Sequence, residues 1–142
     1  MMSQIPEFAA NHPFLVLAFA VLLALTFFNE MKIATQKFAS LTPAGAVKLM
    51  NDGDVVVVDV REPSETVGGK IAKAIQIPYS SISKRIGELD KHKGKTLLVY
   101  CKTGARSGAA CRELSKSGFE KVYSLNGGIM GWQEAHLPIS KK

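Results

Sequence analysis

The residues DVVVVDVRE at 54–62 set four β-branched side chains in a row, Val55 to Val58, between two aspartates. A run of this length without polar alternation is the pattern of a strand covered on both faces, which is typical of parallel sheets. Downstream, IAKAIQI at 71–77 predicts a second strand closed by Pro78, TLLVY at 96–100 a third, and VYSL at 122–125 a fourth. Helical patterns separate them. Pro63 and Ser64 open a short turn or helix that Gly68 and Gly69 break. Tyr79 to Lys91 carries Ile82, Ile86 and Leu89 at three- and four-residue steps, and Ala109 to Ser117 is helical until Gly118. Asn126 to Gly128 leads to a last helix with Trp132 before Pro138. Upstream, Thr42 can cap a helix that has Pro43 at its first position, Val47, Leu49 and Met50 on its apolar face, and Asn51 to Gly53 as its stop. Strands alternating with helices imply an α/β domain with a mostly parallel sheet.

The third strand runs directly into CKTGARS at 101–107 and then into a helix. Cys101 therefore stands at the C-terminal end of a strand, where open α/β sheets place their ligand crevices. Backbone N–H groups of the loop can converge on its sulfur, while the helix dipole and the cations Lys102 and Arg106 favour negative charge there and lower the thiol pKa. Gly104 suits a loop that curls around one atom. Read locally, the same residues also fit a small apolar cysteine ending a buried strand, with Lys102 and Arg106 as solvated charges. Cys111 lies on the following helix and shares a face with Leu114 and Ser115 and with Ser107 or Gly108, so it is expected to face the sheet as a packing residue rather than to serve as a resolving thiol.

At the other end of the chain no charge occurs between Glu7 and Glu30, and Pro13 to Phe28 is apolar except for Thr26. The uncharged stretch from Phe8 to Asn29 reaches about 30 Å as a helix, the thickness of a hydrocarbon core. It is apolar all round, whereas a soluble core helix would need a polar face. A cleaved signal peptide would carry a basic leader, and Met1 to Phe28 has no Lys or Arg. With Lys32, Lys37 and Lys48 after the span, the positive-inside rule predicts a single-pass protein of the inner (plasma) membrane with its C-terminal domain in the cytoplasm. The expected organisation is an anchor over residues 1–30, a juxtamembrane linker over 31–40 and one domain over 41–142.

Composition narrows the function classes. Among 142 residues, 18 Lys and Arg against 12 Asp and Glu give a net charge of +6. These charges are interleaved, which favours anionic partners, and no aromatic and basic pattern points to nucleic acid. Two cysteines are too few for a disulfide scaffold and are not spaced as zinc ligands. His12, His92 and His136 are scattered, suggest neither a metal set nor a Cys–His pair, and are expected on the surface.

Three segments together resemble the rhodanese family: VVVVDVRE at 55–62, the loop CKTGARS at 101–107 and LNGGIMGW at 125–132. The resemblance implies a five-stranded parallel sheet flanked by helices, here preceded by one N-terminal transmembrane helix. It also implies a thiosulfate sulfurtransferase without cofactor or metal. Cys101 would be the nucleophile and persulfide carrier, with the backbone amides of Lys102, Thr103, Gly104, Ala105, Arg106 and Ser107 cradling the persulfide and the side chains of Lys102 and Arg106 drawing in a small anionic sulfur donor such as thiosulfate. The acceptor would be a thiol or a sulfur-carrier protein. Asp59 and Arg61 would be structural supports that tie the neighbouring loop to the active-site loop or to Glu62 or Glu65, and Trp132 would be core packing. The sequence departs from the family at Lys70, where a His is usual, and at Lys73, where a Gly is usual. Two rivals remain: a membrane-attached adaptor using the fold as a docking surface, and a cysteine phosphatase or arsenate reductase. Phosphatases place five residues between Cys and Arg; here there are four, Lys102 to Ala105.

Overall fold

The computed structural model describes residues 4–34 and 38–141, in two units divided between residues 36 and 37. In the first, α1 (Gln4–Asn11) and α2 (Pro13–Ala34) meet at His12. Proline has no N–H to offer the preceding turn, so the expected span from Phe8 is broken at Pro13, which instead opens α2. The helix then runs past the expected end of the anchor at residue 30. Its stretch Pro13–Met31 has a mean hydropathy of 2.1 and no buried residue, and it is long and apolar enough to cross a membrane. The hydroxyl of Thr26, its one polar group before Asn29, donates to Leu23 O at 2.9 Å within the helix.

The second unit is built on a five-stranded, all-parallel sheet in the order β1-β5-β4-β2-β3. The strands are β1 (Ala39–Leu41), β2 (Val55–Asp59), β3 (Ile75–Gln76), β4 (Thr96–Tyr100) and β5 (Val122–Leu125). Helices α3 (Pro43–Asp52), α4 (Ile82–Arg85), α5 (Ala105–Lys116) and α6 (Gly128–Glu134) flank it. The valine run of β2 is covered on both sides, as its composition requires. Val56 and Val58 join Leu97, Val99, Cys111 and Leu114 in one core layer, while Val57 joins Leu98, Tyr100, Ala46, Ile129 and Trp132 in the other. On α5 the buried positions are Ser107, Ala110, Cys111 and Leu114, the face expected from the sequence except that Ser115 is only half-buried.

Within the segment expected as a linker, residues 31–40, α2 continues through Ala34 and β1 starts at Ala39. A strand of three residues carries no periodicity of its own and exists by pairing with β5, Ala39 beside Tyr123 and Leu41 beside Leu125. The strand expected over 71–77 shrinks to Ile75–Gln76, because Ala74 N bonds back to Ile71 O and Lys73 adopts φ +63°, a turn conformation. The helix expected over 79–91 becomes a 3₁₀ turn at Tyr79–Ser81, the single turn α4, and a 3₁₀ stretch Ile86–His92. Ile82 and Leu89 still turn inward, but Ser81 and Arg85 sit near φ −110°, ψ 0°, interrupting the helix, and Gly87 lowers its propensity. His92, expected on the surface, has both ring nitrogens enclosed without a hydrogen-bond partner among the described residues. Burial, then Lys91 and Lys95, hold its pKa below the ordinary value.

Candidate active site

β4 ends at Tyr100 and α5 starts at Ala105, leaving Cys101 to Gly104 to make the turn between them. Gly104 takes φ +110°, a backbone angle that a side chain would resist. This bends the loop so that the Gly104 N–H donates to Cys101 Sγ at 3.0 Å. Ser107 Oγ lies 3.7 Å from the same sulfur. The thiol is 1% exposed. Burial pushes its pKa up, but the backbone N–H groups of Ser107, Gly104 and Thr103 and the Ser107 hydroxyl outweigh burial, and the net direction is down. Cys111 has no such donors: burial pushes its thiol up to about 12, and it packs in the core. Two cysteines ten residues apart thus take opposite chemistry from their surroundings.

The loop is clamped from below by α6. Ile129 N donates to Cys101 O at 2.9 Å and Met130 N to Lys102 O at 3.2 Å. This approach is possible because Gly127 and Gly128 both take positive φ. A Cβ on Gly128 would lie 2.5 Å from Cys101 O and from Lys102 C and O. The Gly-Gly pair of the sequence is therefore the floor of the cysteine loop. Trp132, on the same helix, is buried and donates from Nε1 to Pro138 O at 2.9 Å.

Asp59 and Arg61 form a buried pair beside the site rather than in it. Arg61 Nη2 donates to Asp59 Oδ2 at 2.8 Å and to Gly69 O at 2.9 Å, and Nη1 donates to Glu65 O at 3.0 Å. The Tyr100 hydroxyl donates to Asp59 Oδ2 at 2.7 Å and accepts from Ile71 N at 3.1 Å. These bonds lock the turn at residues 62–71 to the ends of β2 and β4. The turn in its own way reaches the loop through Glu65, whose two oxygens each meet one Nη of Arg106 at 2.7 Å. The Arg106 fork, expected to face an anionic donor, thus already holds a carboxylate. The Arg106 hydrogen bonds, then the Glu62 amide, hold the Glu65 pKa at about 2. Lys102 is exposed and lines a cavity of about 230 Å³ together with Glu65, Gly69, Met130, Gln133 and Ile139. Thr103 and Ala105 are exposed on the loop's outer side.

Of the residues singled out in the sequence, the backbone of Thr103 and Gly104 and both backbone and hydroxyl of Ser107 meet the Cys101 sulfur, whereas Arg106 is held by Glu65, Lys102 and Ala105 are exposed, and Asp59 and Arg61 are neighbours. Sequence reading missed Ser124, whose hydroxyl lies 2.8 Å from Ser107 Oγ. Its signal was a polar residue at a buried position of an apolar strand. Lys70 and Lys73 stand on the turn before β3. Lys70 pairs with Ser140 through N–H···O bonds of 2.8 and 2.6 Å, so the C-terminal segment lies along this turn.

The rhodanese-like domain model matches residues 42–135. An uncharacterized protein of Escherichia coli, YibN, is 34% identical over 139 residues, 97% of each chain. A protein of Allochromatium vinosum named sulfurtransferase is 39% identical over 92 residues, 65% of this chain and 84% of that one. Among solved structures, a rhodanese-related protein from Thermoplasma volcanium superposes with a TM-score of 0.67 at 33% identity, covering 73% of this chain and 99% of that chain. With the five-stranded parallel sheet and the cysteine loop at the end of its central strand, the chain belongs to the rhodanese-like domain family.

Proposed function

We propose that the protein is a sulfurtransferase that carries sulfane sulfur as a persulfide on Cys101. The observation that carries this reading is the sulfur at the focus of its own loop, 3.0 Å from the Gly104 N–H, with its pKa lowered by the surrounding donors. The sulfurtransferase name of the Allochromatium vinosum relative supports it. In the first half-reaction the Cys101 thiolate attacks the sulfane sulfur of an anionic donor such as thiosulfate. The Sγ–S bond forms as the donor's S–S bond breaks, and the electron pair leaves with sulfite. In the second, the thiolate of a small thiol or sulfur-carrier protein attacks the outer sulfur, and the pair of the Sγ–S bond returns to Cys101. Atoms and electrons balance without an oxidant.

In this reading the loop amides hold the outer sulfur, and Lys102 supplies the exposed charge that draws in the donor. Arg106 acts through its pairing with Glu65, which fixes the start of α5. Four residues between Cys101 and Arg106 leave a loop sized for a single sulfur rather than for a phosphate. We further propose that α2 anchors the protein in the inner membrane with the domain on the cytoplasmic side. Support comes from the length and all-round apolarity of α2 and from the basic residues that follow it in sequence.

The test uses the full chain in detergent, purified without reductant and treated with thiosulfate. A mass gain of one sulfur, about 32 Da, should map to Cys101. Transfer from thiosulfate to cyanide should vanish in Cys101→Ser while the circular dichroism stays native. Turnover in that variant, or efficient hydrolysis of aryl phosphates by the unaltered protein, overturns the assignment.

A further inference from the structure

Ser107 and Ser124 are buried serines on the Cys101 side of the sheet, 0% and 3% exposed. Ser107 Oγ sits at a junction: 3.0 Å from Gly104 O, 2.8 Å from Ser124 Oγ and 3.7 Å from Cys101 Sγ. A serine hydroxyl has one proton to give and two lone pairs to receive with. Gly104 O can only accept, so with the Ser107 proton directed there, the proton in the Ser107–Ser124 contact must come from Ser124. The remaining lone pair of Ser107 then receives the S–H of Cys101.

Deprotonation of Cys101 reverses one demand. A thiolate needs a donor, and a Ser107 lone pair facing it would be repulsive. The Ser107 proton can turn from Gly104 O to Sγ, because Gly104 O keeps a second donor, the Gly108 N–H at 3.3 Å. That rotation works only if Ser124 continues to donate; a Ser124 that accepted the Ser107 proton would leave the thiolate without it.

We infer that Ser124 is a positioning residue for the sulfur chemistry: from β5 it donates to Ser107 Oγ and so reserves the Ser107 proton for the Cys101 thiolate. This inference rests on the persulfide reading of Cys101, but its consequence is a property of the thiol alone. Ser124 has no contact with the sulfur of its own and acts through Ser107. Arg106 and Cys111 on α5 interact electrostatically with Cys101, Glu65 pairs with Arg106, and Lys102 follows Cys101 in the loop; none of them is altered by substitutions at 124.

The experiment measures the rate of alkylation of Cys101 by iodoacetamide against pH, in the full chain in detergent, with the modified cysteine assigned by peptide mapping so that Cys111, whose thiol burial pushes up to about 12, is followed separately. Ser107→Ala should raise the midpoint by about one unit and Ser124→Ala by about half a unit, the scale of a lost hydrogen bond to a charged group and of its weakened form. Because Ser124 works through Ser107, the double variant should match Ser107→Ala alone. Ser124→Thr, which keeps the hydroxyl, should retain the original midpoint, whereas Ser124→Val, of the same shape without it, should behave as Ser124→Ala. An unmoved midpoint in Ser124→Val, or shifts that add in the double variant, overturns the inference. The readout is independent of sulfur transfer, so a failure here leaves the persulfide reading standing, and a chain that fails to carry sulfur can still show the shift.

Discussion

Lys73 holds φ +63°, where the family usually has glycine. The left-handed region costs an L-residue about 1–2 kcal/mol, and glycine gives back part of that gain through its larger unfolded-state entropy. Lys73→Gly should therefore raise stability by about 1 kcal/mol, read from urea midpoints, with the rate of sulfur transfer unchanged. Glu65 makes a prediction in pH. Its pKa falls from 4.5 to about 2 in the folded state, so its contribution is fully present above pH 4.5 and is lost as the pH falls from about 4.5 to about 2. Glu65→Gln should cost about 1 kcal/mol at pH 7, the scale of a partly exposed bidentate pair, and lose less than the parent as the pH falls from about 4.5 to about 2. Equal acid sensitivity of the two proteins in denaturant titrations would remove Glu65 from this role. At this scale the sequence displayed the cysteine loop, because strand, cysteine, glycine and arginine follow one another closely, but read locally these residues fitted a packing cysteine as well, and only the resemblance pointed to a nucleophile. It could not display the partner of Arg106, which lies 41 residues away.

The elements differ in how openly they are written. β2 and β4 are apolar runs buried on both faces, and hydrophobicity alone specifies them. β1 and β3 are short edge strands specified by their neighbours' hydrogen bonds, and the 3₁₀ stretch after α4 keeps the helical spacing of Ile82 and Leu89 without a continuous helix. The Gly127–Gly128 turn was visible as a motif, but its task, bringing α6 against the cysteine loop, appears only in three dimensions. Gly128→Ala should force Cys101 O and Lys102 away from the helix, costing roughly 3 kcal/mol of stability. Sulfur transfer should fall about 100-fold, because an ångström of displacement in the loop misdirects its N–H groups. Gly53→Ala, where a Cβ meets nothing within 4 Å and the backbone is extended, is the control. Melting curves and turnover of the two variants should diverge.

For the molecule as a whole, the membrane proposal predicts that the full chain stays with the membrane fraction after carbonate washing, and that protease added outside intact cells leaves the domain uncut. Release by carbonate would refute the anchor, and digestion would refute its orientation. One further consequence follows from the order of the strands. β1 is the first strand to be made and its partner β5 the last, about 80 residues later. During synthesis the sheet therefore waits, with one edge position unfilled, until Val122 to Leu125 are available. The N–H groups of Ile129 and Met130 that clamp the cysteine loop, and the Ser124 hydroxyl, come from this same final portion. The supports of the cysteine loop thus come from residues made after it, and the loop is held in its final geometry only once β5 and α6 have been added.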